Sequence, residues 1–98
     1  MACCGGVSSS SPVDPEVNQL VQSLRPQIES KLGSSFPQFD PIEMQTQVVA
    51  GMNYFVRINV GYPDKVVDAR IFHQAWSNTT EVSSARMVPP SQPLGYFE

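Results

Sequence analysis

Apolar residues in the first third of the chain recur at the spacing of a helix. Between Asp14 and Gly33 they fall every three or four positions, at Val17, Leu20, Val21, Leu24, Ile28 and Leu32. This spacing predicts an amphipathic helix that Asp14 caps at its start and Gly33 terminates. Pro26 removes one backbone hydrogen bond within this segment, so we expect the helix to bend there.

After Gly33 apolar and polar residues alternate instead, as they do in strands that bury one face. The clearest strand is predicted over residues 52–60, with one apolar face formed by Tyr54, Val56, Ile58 and Val60. Three further segments are predicted as strands: 39–48, 66–74 and 81–88. A helix of about 18 residues and a strand of about nine have similar lengths, about 27 and 30 Å. We therefore predict an α+β fold in which an antiparallel sheet of four to five strands wraps around one long helix.

The connections between these strands predict a binding surface. Alternate turns of an antiparallel meander lie at the same end of the sheet, which would place residues 47–51 beside residues 75–78. A helix antiparallel to the first strand would bring residues 3–7 to that end as well. The first turn is apolar from Val48 to Ala50, where turns in water favour Asn, Asp, Gly or Pro. The second carries Trp76, a residue type that often anchors interfaces, so we predict an apolar wedge that enters a cleft in a partner.

Length and charge exclude several classes of function. The 98 residues carry a net charge of −3 and a pI near 4.9, so we expect a single domain over residues 1–98 that does not bind nucleic acid. The absence of a run of about 18 apolar residues predicts no membrane span. Residues 1–7 lack the basic and apolar regions of a secretory signal, and the adjacent Cys3 and Cys4 are poorly placed to bridge each other. We expect a cytoplasmic protein whose residues 1–12, rich in Gly and Ser, form a flexible N-terminal segment.

Residues that could carry catalysis are few. His73 is the only histidine, and a Cys–His pair would need it beside Cys3 or Cys4, which a flexible terminus cannot hold in place. One histidine and two thiols also make a poor metal site. We therefore expect no enzyme activity, no cofactor and no metal. The glycosylation sequon at residues 78–80 would have no use in the cytoplasm.

One short motif and its surroundings match a known family. Gln47, Val49 and Gly51 fit the pattern Gln-x-Val-x-Gly, with Thr46 before it and Asn53-Tyr54 after it. The helix segment with its internal proline and the glycine pair near the N-terminus add to the match. From residue 5 to about residue 72 the chain resembles a stefin, the small single-domain branch of the cystatin superfamily.

This resemblance implies a reversible, tight-binding inhibitor of papain-like cysteine proteases such as cathepsins. Members of the family insert an N-terminal trunk and two hairpin loops into the active-site cleft of the protease. Carried over residue by residue, the protease-binding positions are Cys4, Gly5 and Gly6 in the trunk, Gln47, Val48, Val49, Ala50 and Gly51 in the first loop, and Ala75 and Trp76 in the second loop. We expect a monomer, with a domain-swapped dimer as the alternative if the first loop opens as a hinge.

The second loop departs from the family pattern. Stefins commonly have Leu-Pro there and secreted cystatins have Pro-Trp, whereas this chain has Ala75-Trp76. The large apolar side chain is kept, but the proline that stiffens the loop is absent. A cystatin-fold module that binds another protein without inhibiting a protease is therefore the alternative function.

Overall fold

The computed structural model describes residues 10–95, with the side chain of Ala75 excepted. Within them the chain forms two helices and four strands, namely α1 (Pro15–Ser23), α2 (Arg25–Leu32), β1 (Asp40–Val49), β2 (Gly51–Asn59), β3 (Val66–Gln74) and β4 (Thr79–Val88). The strands make one antiparallel sheet in the order β1-β2-β3-β4. This architecture confirms the predicted α+β fold. The bounds of β3 are those predicted from the sequence, and the other strands begin or end within two residues of their predicted bounds.

Two consecutive helices replace the single long helix that was predicted. Leu24 lies between them, and its N–H donates to the carbonyl oxygens of Leu20 and Val21 at 3.1 and 3.0 Å. Pro26 is the second residue of α2. A missing N–H costs little there, because the N–H groups of the first turn have no partner within the helix. The predicted bend is thus a break. No helix in residues 10–95 is long and apolar enough to cross a membrane.

The apolar stripe of both helices packs on one face of the sheet. Three helix side chains and that of Leu24, between the helices, are buried in the core, and two of them, Val21 and Ile28, are fully enclosed: Val17, Val21, Leu24 and Ile28. They meet Val60, which directly follows β2, and the inward-facing apolar residues of the strands: Met44, Val56, Ile58, Val67, Ala69, Ile71 and Val82. Phe36 and Phe39, from the segment between α2 and β1, belong to the same core. Burial of each large side chain stabilises the fold by about 1.5–3 kcal/mol, so this layer holds the helices on the sheet.

A buried ion pair lies on the opposite, outer face of the sheet. Arg57 and Asp68 are directly opposite each other on β2 and β3, and the guanidinium donates to both carboxylate oxygens at 2.8 and 2.9 Å. These hydrogen bonds raise the pKa of Arg57 above its ordinary value, against the effect of desolvation. The segment after β4 reaches this face, where Pro90 O accepts from Arg57 at 3.4 Å and Leu94 packs on Phe55. The chain after β4 therefore returns to the sheet at Leu94.

Candidate functional site

The first hairpin ends in a narrower tip than the sequence predicted. Gln47 and Val48 belong to β1, where they pair with Asn53 and Met52 of β2, and Val49 pairs with Gly51. Ala50 alone is left between the two strands. The tip is apolar and largely open to solvent, because Val48 is 62% exposed and Ala50 is also exposed, whereas Val49 is half-buried.

Gly51 brings this tip against the end of β3. Its backbone has a φ of +126°, which side chains of L-residues rarely allow. A Cβ atom at this position would lie 2.7 Å from the carbonyl oxygen of His73 and 2.9 Å from Cγ of Gln74. Both the conformation and the close approach therefore require glycine.

The second connection is a short helical turn that exposes a tryptophan. Residues Ala75–Ser77 form one turn of 3₁₀-helix, and Asn78 follows with a φ of +51°, a conformation that Asn tolerates better than most residues. Trp76 is 74% exposed, the largest exposure of any large apolar side chain in the described residues. An indole held this far into water is available to a partner.

One side chain joins the two tips. Nε2 of Gln74 donates to the carbonyl oxygen of Ala50 at 2.6 Å, and Oε1 of the same amide accepts from Oγ of Ser77 at 2.8 Å. The two connections therefore lie side by side at one end of the sheet, where chain parity predicted them. We call residues 48–52 and 75–78 the loop rim. The part played by Gln74 was not predicted from the sequence, because a glutamine at the end of a strand is ordinarily a solvated residue.

The start of α1 lies at the same end of the molecule as the loop rim. Asp14 and Glu16 share a groove with Thr46, Met52 and His73, which belong to three different strands. Tyr54 also lines this groove, where burial raises the pKa of its phenol and the carboxylates of Glu16 and Asp14 raise it further. The helix is thus antiparallel to β1, as the parity argument required.

The chain enters α1 along the free edge of β1. Ser11 and Met44 exchange two backbone hydrogen bonds of 3.0 and 2.9 Å, and Nε2 of Gln45 donates to Oγ of Ser10 at 2.9 Å. The end of the predicted flexible segment is therefore attached to the sheet. Because the pairing is antiparallel, Ser10 stands nearer the loop rim than Ser11. The predicted trunk residues Cys4, Gly5 and Gly6 lie outside the described residues.

The remaining chemical groups are placed for structure. Nδ1 of His73 lies 2.7 Å from Oγ1 of Thr80 on the neighbouring strand, and Nδ2 of Asn53 donates to Oε1 of Gln47 at 3.1 Å. In the described part of the chain, no group of three or more His, Cys, Asp or Glu side chains is placed to hold a metal ion. The candidate site is the loop rim, where Val48 and Trp76 expose large apolar side chains.

Comparison with known proteins assigns the class. Residues 5–86 match the family model of the cystatin domain, which covers most of the chain. The chain belongs to the cystatin family, and its α+β architecture is the one that the resemblance implied.

The relatives narrow the assignment to stefin-type cystatins. The chain is 39% identical to cystatin-A of Felis catus over 56 residues, 57% of each chain. It is 41% identical to stefin-1 of Mus musculus over 58 residues, 59% of this chain and 60% of that relative. Human cystatin-B is 38% identical over 69 residues, 70% of this chain and 69% of the relative. The chain thus spans about three fifths of the length of the first two relatives.

Proposed function

We propose that this protein is a reversible, tight-binding inhibitor of papain-like cysteine proteases, cathepsins among them, and is not an enzyme. It acts in the cytoplasm as a monomer that binds one protease molecule. The observation that carries this proposal is the loop rim, where Val48 and Trp76 expose apolar side chains at one end of the sheet. Membership of the cystatin family supports the same function.

The rim suits a cleft because its parts are already in place. The first tip is held by strand pairing up to Val49 and Gly51, and Gln74 ties it to the second. A surface ordered before binding loses little conformational entropy when it docks. Val48, Ala50 and Trp76 would displace water from apolar walls of the cleft. Gln47 and Gly51 would act mainly by shaping the tip.

The N-terminal trunk is the third part of the proposed wedge. Ser10 and Ser11 run along the edge of β1, and from Ser11 back to Ser10 the chain approaches the loop rim. We propose that Cys4, Gly5 and Gly6 contact the protease beside the first tip. Removal of residues 1–6 should then raise the dissociation rate of the complex more than it lowers the association rate. An unchanged dissociation rate would remove the trunk from the binding surface.

Titration of papain tests the function directly. Residual hydrolysis should fall linearly to near zero at one molecule of protein per active site. Val48→Asp should weaken inhibition by a hundred-fold or more, about 3 kcal/mol, because it desolvates an unpaired charge in the cleft. Ile42→Asp is the matched control, since Ile42 is also exposed, at 50%, and lies near the other end of the same strand. Full hydrolysis at a ten-fold excess of the wild-type protein would refute the inhibitor.

The alternative is a module that binds a protein partner without blocking a protease. The observation that favours it is the second connection, where Ala75-Trp76 stands in place of a proline-containing pair. Calorimetry with inactivated papain distinguishes the two functions. Binding without inhibition of the active enzyme would favour the module, whereas binding and inhibition with the same stoichiometry would support the inhibitor.

A further inference from the structure

The side chain of Gln74 reaches both tips. It is the last residue of β3, half-buried, and immediately precedes the turn that carries Trp76. Its amide donates from Nε2 to Ala50 O at 2.6 Å and accepts at Oε1 from Ser77 Oγ at 2.8 Å. Ser77 Oγ also lies 2.9 Å from Oγ1 of Thr79, at the start of β4. A single chain of hydrogen bonds thus runs from the first tip through the second.

A side-chain amide matches both ends of this link. Ala50 offers a carbonyl oxygen, which needs a donor, while the hydroxyl of Ser77 donates and needs an acceptor. A side-chain amide supplies both groups from one planar unit, whereas a carboxylate supplies only acceptors. Gly51 reinforces the arrangement, because its missing side chain lets the first tip approach Cγ of Gln74.

The second connection is a single 3₁₀ turn that leaves its largest side chain in solvent. Its residues, Ala-Trp-Ser-Asn, contain no proline to restrict the backbone, and Trp76 projects into solvent. A tryptophan contributes most to binding when its position is set before contact, because ordering it on contact costs affinity. We propose that Gln74 is a positioning residue that holds the second connection against the first and thereby sets the spacing between Val48 and Trp76.

The order of the second connection can be measured without a protease. Trp76 is the only tryptophan of the chain, so its time-resolved fluorescence anisotropy reports this turn alone. Gln74→Met keeps the length of the side chain and removes both hydrogen bonds, and should widen the fast motion of the indole. Gln27→Met is the matched control, an exposed glutamine in α2, and should leave the decay unchanged. Equal decays for wild type and Gln74→Met would overturn the proposal.

Separate loss of each hydrogen bond gives a sharper test. Gln74→Glu keeps the acceptor for Ser77 but loses the donor to Ala50. Ser77→Ala instead loses the hydrogen bond to Gln74 and keeps the one from Gln74 to Ala50. Each should widen the motion of Trp76 less than Gln74→Met does. Combining Ser77→Ala with Gln74→Met should add little to Gln74→Met alone, because both act on one chain of contacts. Full additivity of the two changes would contradict a single link.

The effect on protease binding rests on the proposed function. Gln74→Met should raise the dissociation rate of the papain complex about two- to ten-fold, the range expected for loss of hydrogen bonds of this kind, with little change in the association rate. A wild-type protein that fails to bind papain would refute the proposed function and leave the anisotropy result as the test of the link. Normal dissociation of a Gln74→Met variant whose Trp76 is more mobile would refute the role of the link in binding.

Discussion

The two ends of the sheet are built in different ways. At the loop rim, the large apolar side chains of Val48 and Trp76 stand in solvent. At the other end, an aromatic contact joins the segment between α2 and β1 to the turn between β2 and β3. Phe36 is buried and packs edge-to-face on Tyr62 with 6.2 Å between the ring centroids. Lys65 lies over the ring of Tyr62 at 5.3 Å.

Polar groups of α2 complete this second end. Oε2 of Glu29 accepts from the backbone N–H of Phe36 at 2.9 Å, and the guanidinium of Arg25 donates to the carbonyl oxygen of Phe36 at 2.6 Å. Gly33 ends α2 in the left-handed conformation with a φ of +65°, which allows the chain to turn back toward these groups. One end of the molecule therefore closes the core, and the other is ordered yet leaves apolar surface uncovered. We expect substitutions at the closed end to lower the stability of the fold, and substitutions of exposed side chains at the loop rim to weaken binding.

The largest effect should come from the closed end. Phe36→Ala removes a side chain that is 4% exposed and should lower the free energy of unfolding by about 3–5 kcal/mol, through lost burial and a cavity. Urea denaturation followed by circular dichroism measures this change. Protein that remains folded should inhibit papain with the wild-type dissociation rate. A large loss of affinity in the folded fraction would show that the two ends are coupled.

The next largest effect should come from the loop rim and should fall on binding alone. Trp76→Ala should weaken the papain complex by about 2 kcal/mol or more, roughly thirty-fold, as expected for a tryptophan at the centre of an interface. The free energy of unfolding of this variant should stay within about 0.5 kcal/mol of that of the wild type, since the indole is 74% exposed. Ile42→Ala is the control, because it truncates another exposed apolar residue away from the rim. Equal loss of affinity in both variants would argue against a localised binding surface.

A third substitution tests whether the rim is held rigid by its close packing. Gly51→Ala should destabilise the protein by about 1–3 kcal/mol, because the residue must leave a φ of +126° or displace His73 and Gln74. The tip should then move away from β3, and inhibition of papain should weaken as well. Denaturation curves and dissociation rates together measure the two effects. Gly33→Ala is the comparison: it is also strained, but no atom lies within 4 Å of its Cβ position, so only stability should fall.

The placement of the rim could be predicted from the sequence because it depends on patterns that are local. Alternation specified β3 over residues 66–74, and the order of the strands then determined which connections share an end. The apolar character of Val48 and the isolation of Trp76 in a short turn were visible in the same way. Each of these inferences needs only the period of the apolar positions and the number of strands.

Contacts between distant residues account for what could not be predicted. In the sequence Gln74 is an ordinary residue at the end of a predicted strand. Its two hydrogen bonds form only because the folded chain places Ala50 and Ser77 beside it. The early start of β4 has the same origin, since Thr79 and Thr80 are polar but pair with Gln74 and His73.

The smallest predicted effect concerns the polar contact that closes the end opposite the rim. The hydrogen bond from the Phe36 N–H, together with Arg25, holds the pKa of Glu29 below its ordinary value, in spite of some desolvation. A carboxylate with a depressed pKa in the folded state stabilises the protein above its unfolded-state pKa, and this contribution is lost as the pH falls through the folded-state pKa. Glu29→Gln should therefore lower the melting temperature slightly near neutral pH.

The difference between wild type and Glu29→Gln should shrink as the medium becomes acidic, because protonated Glu29 is then as uncharged as the glutamine. Thermal melts between about pH 7 and about pH 2 measure this convergence. Glu16→Gln is the matched control, since Glu16 is an exposed carboxylate in the first turn of α1, at the rim end. A constant difference for Glu29→Gln over this range would mean that the ionised carboxylate does not help to close this end.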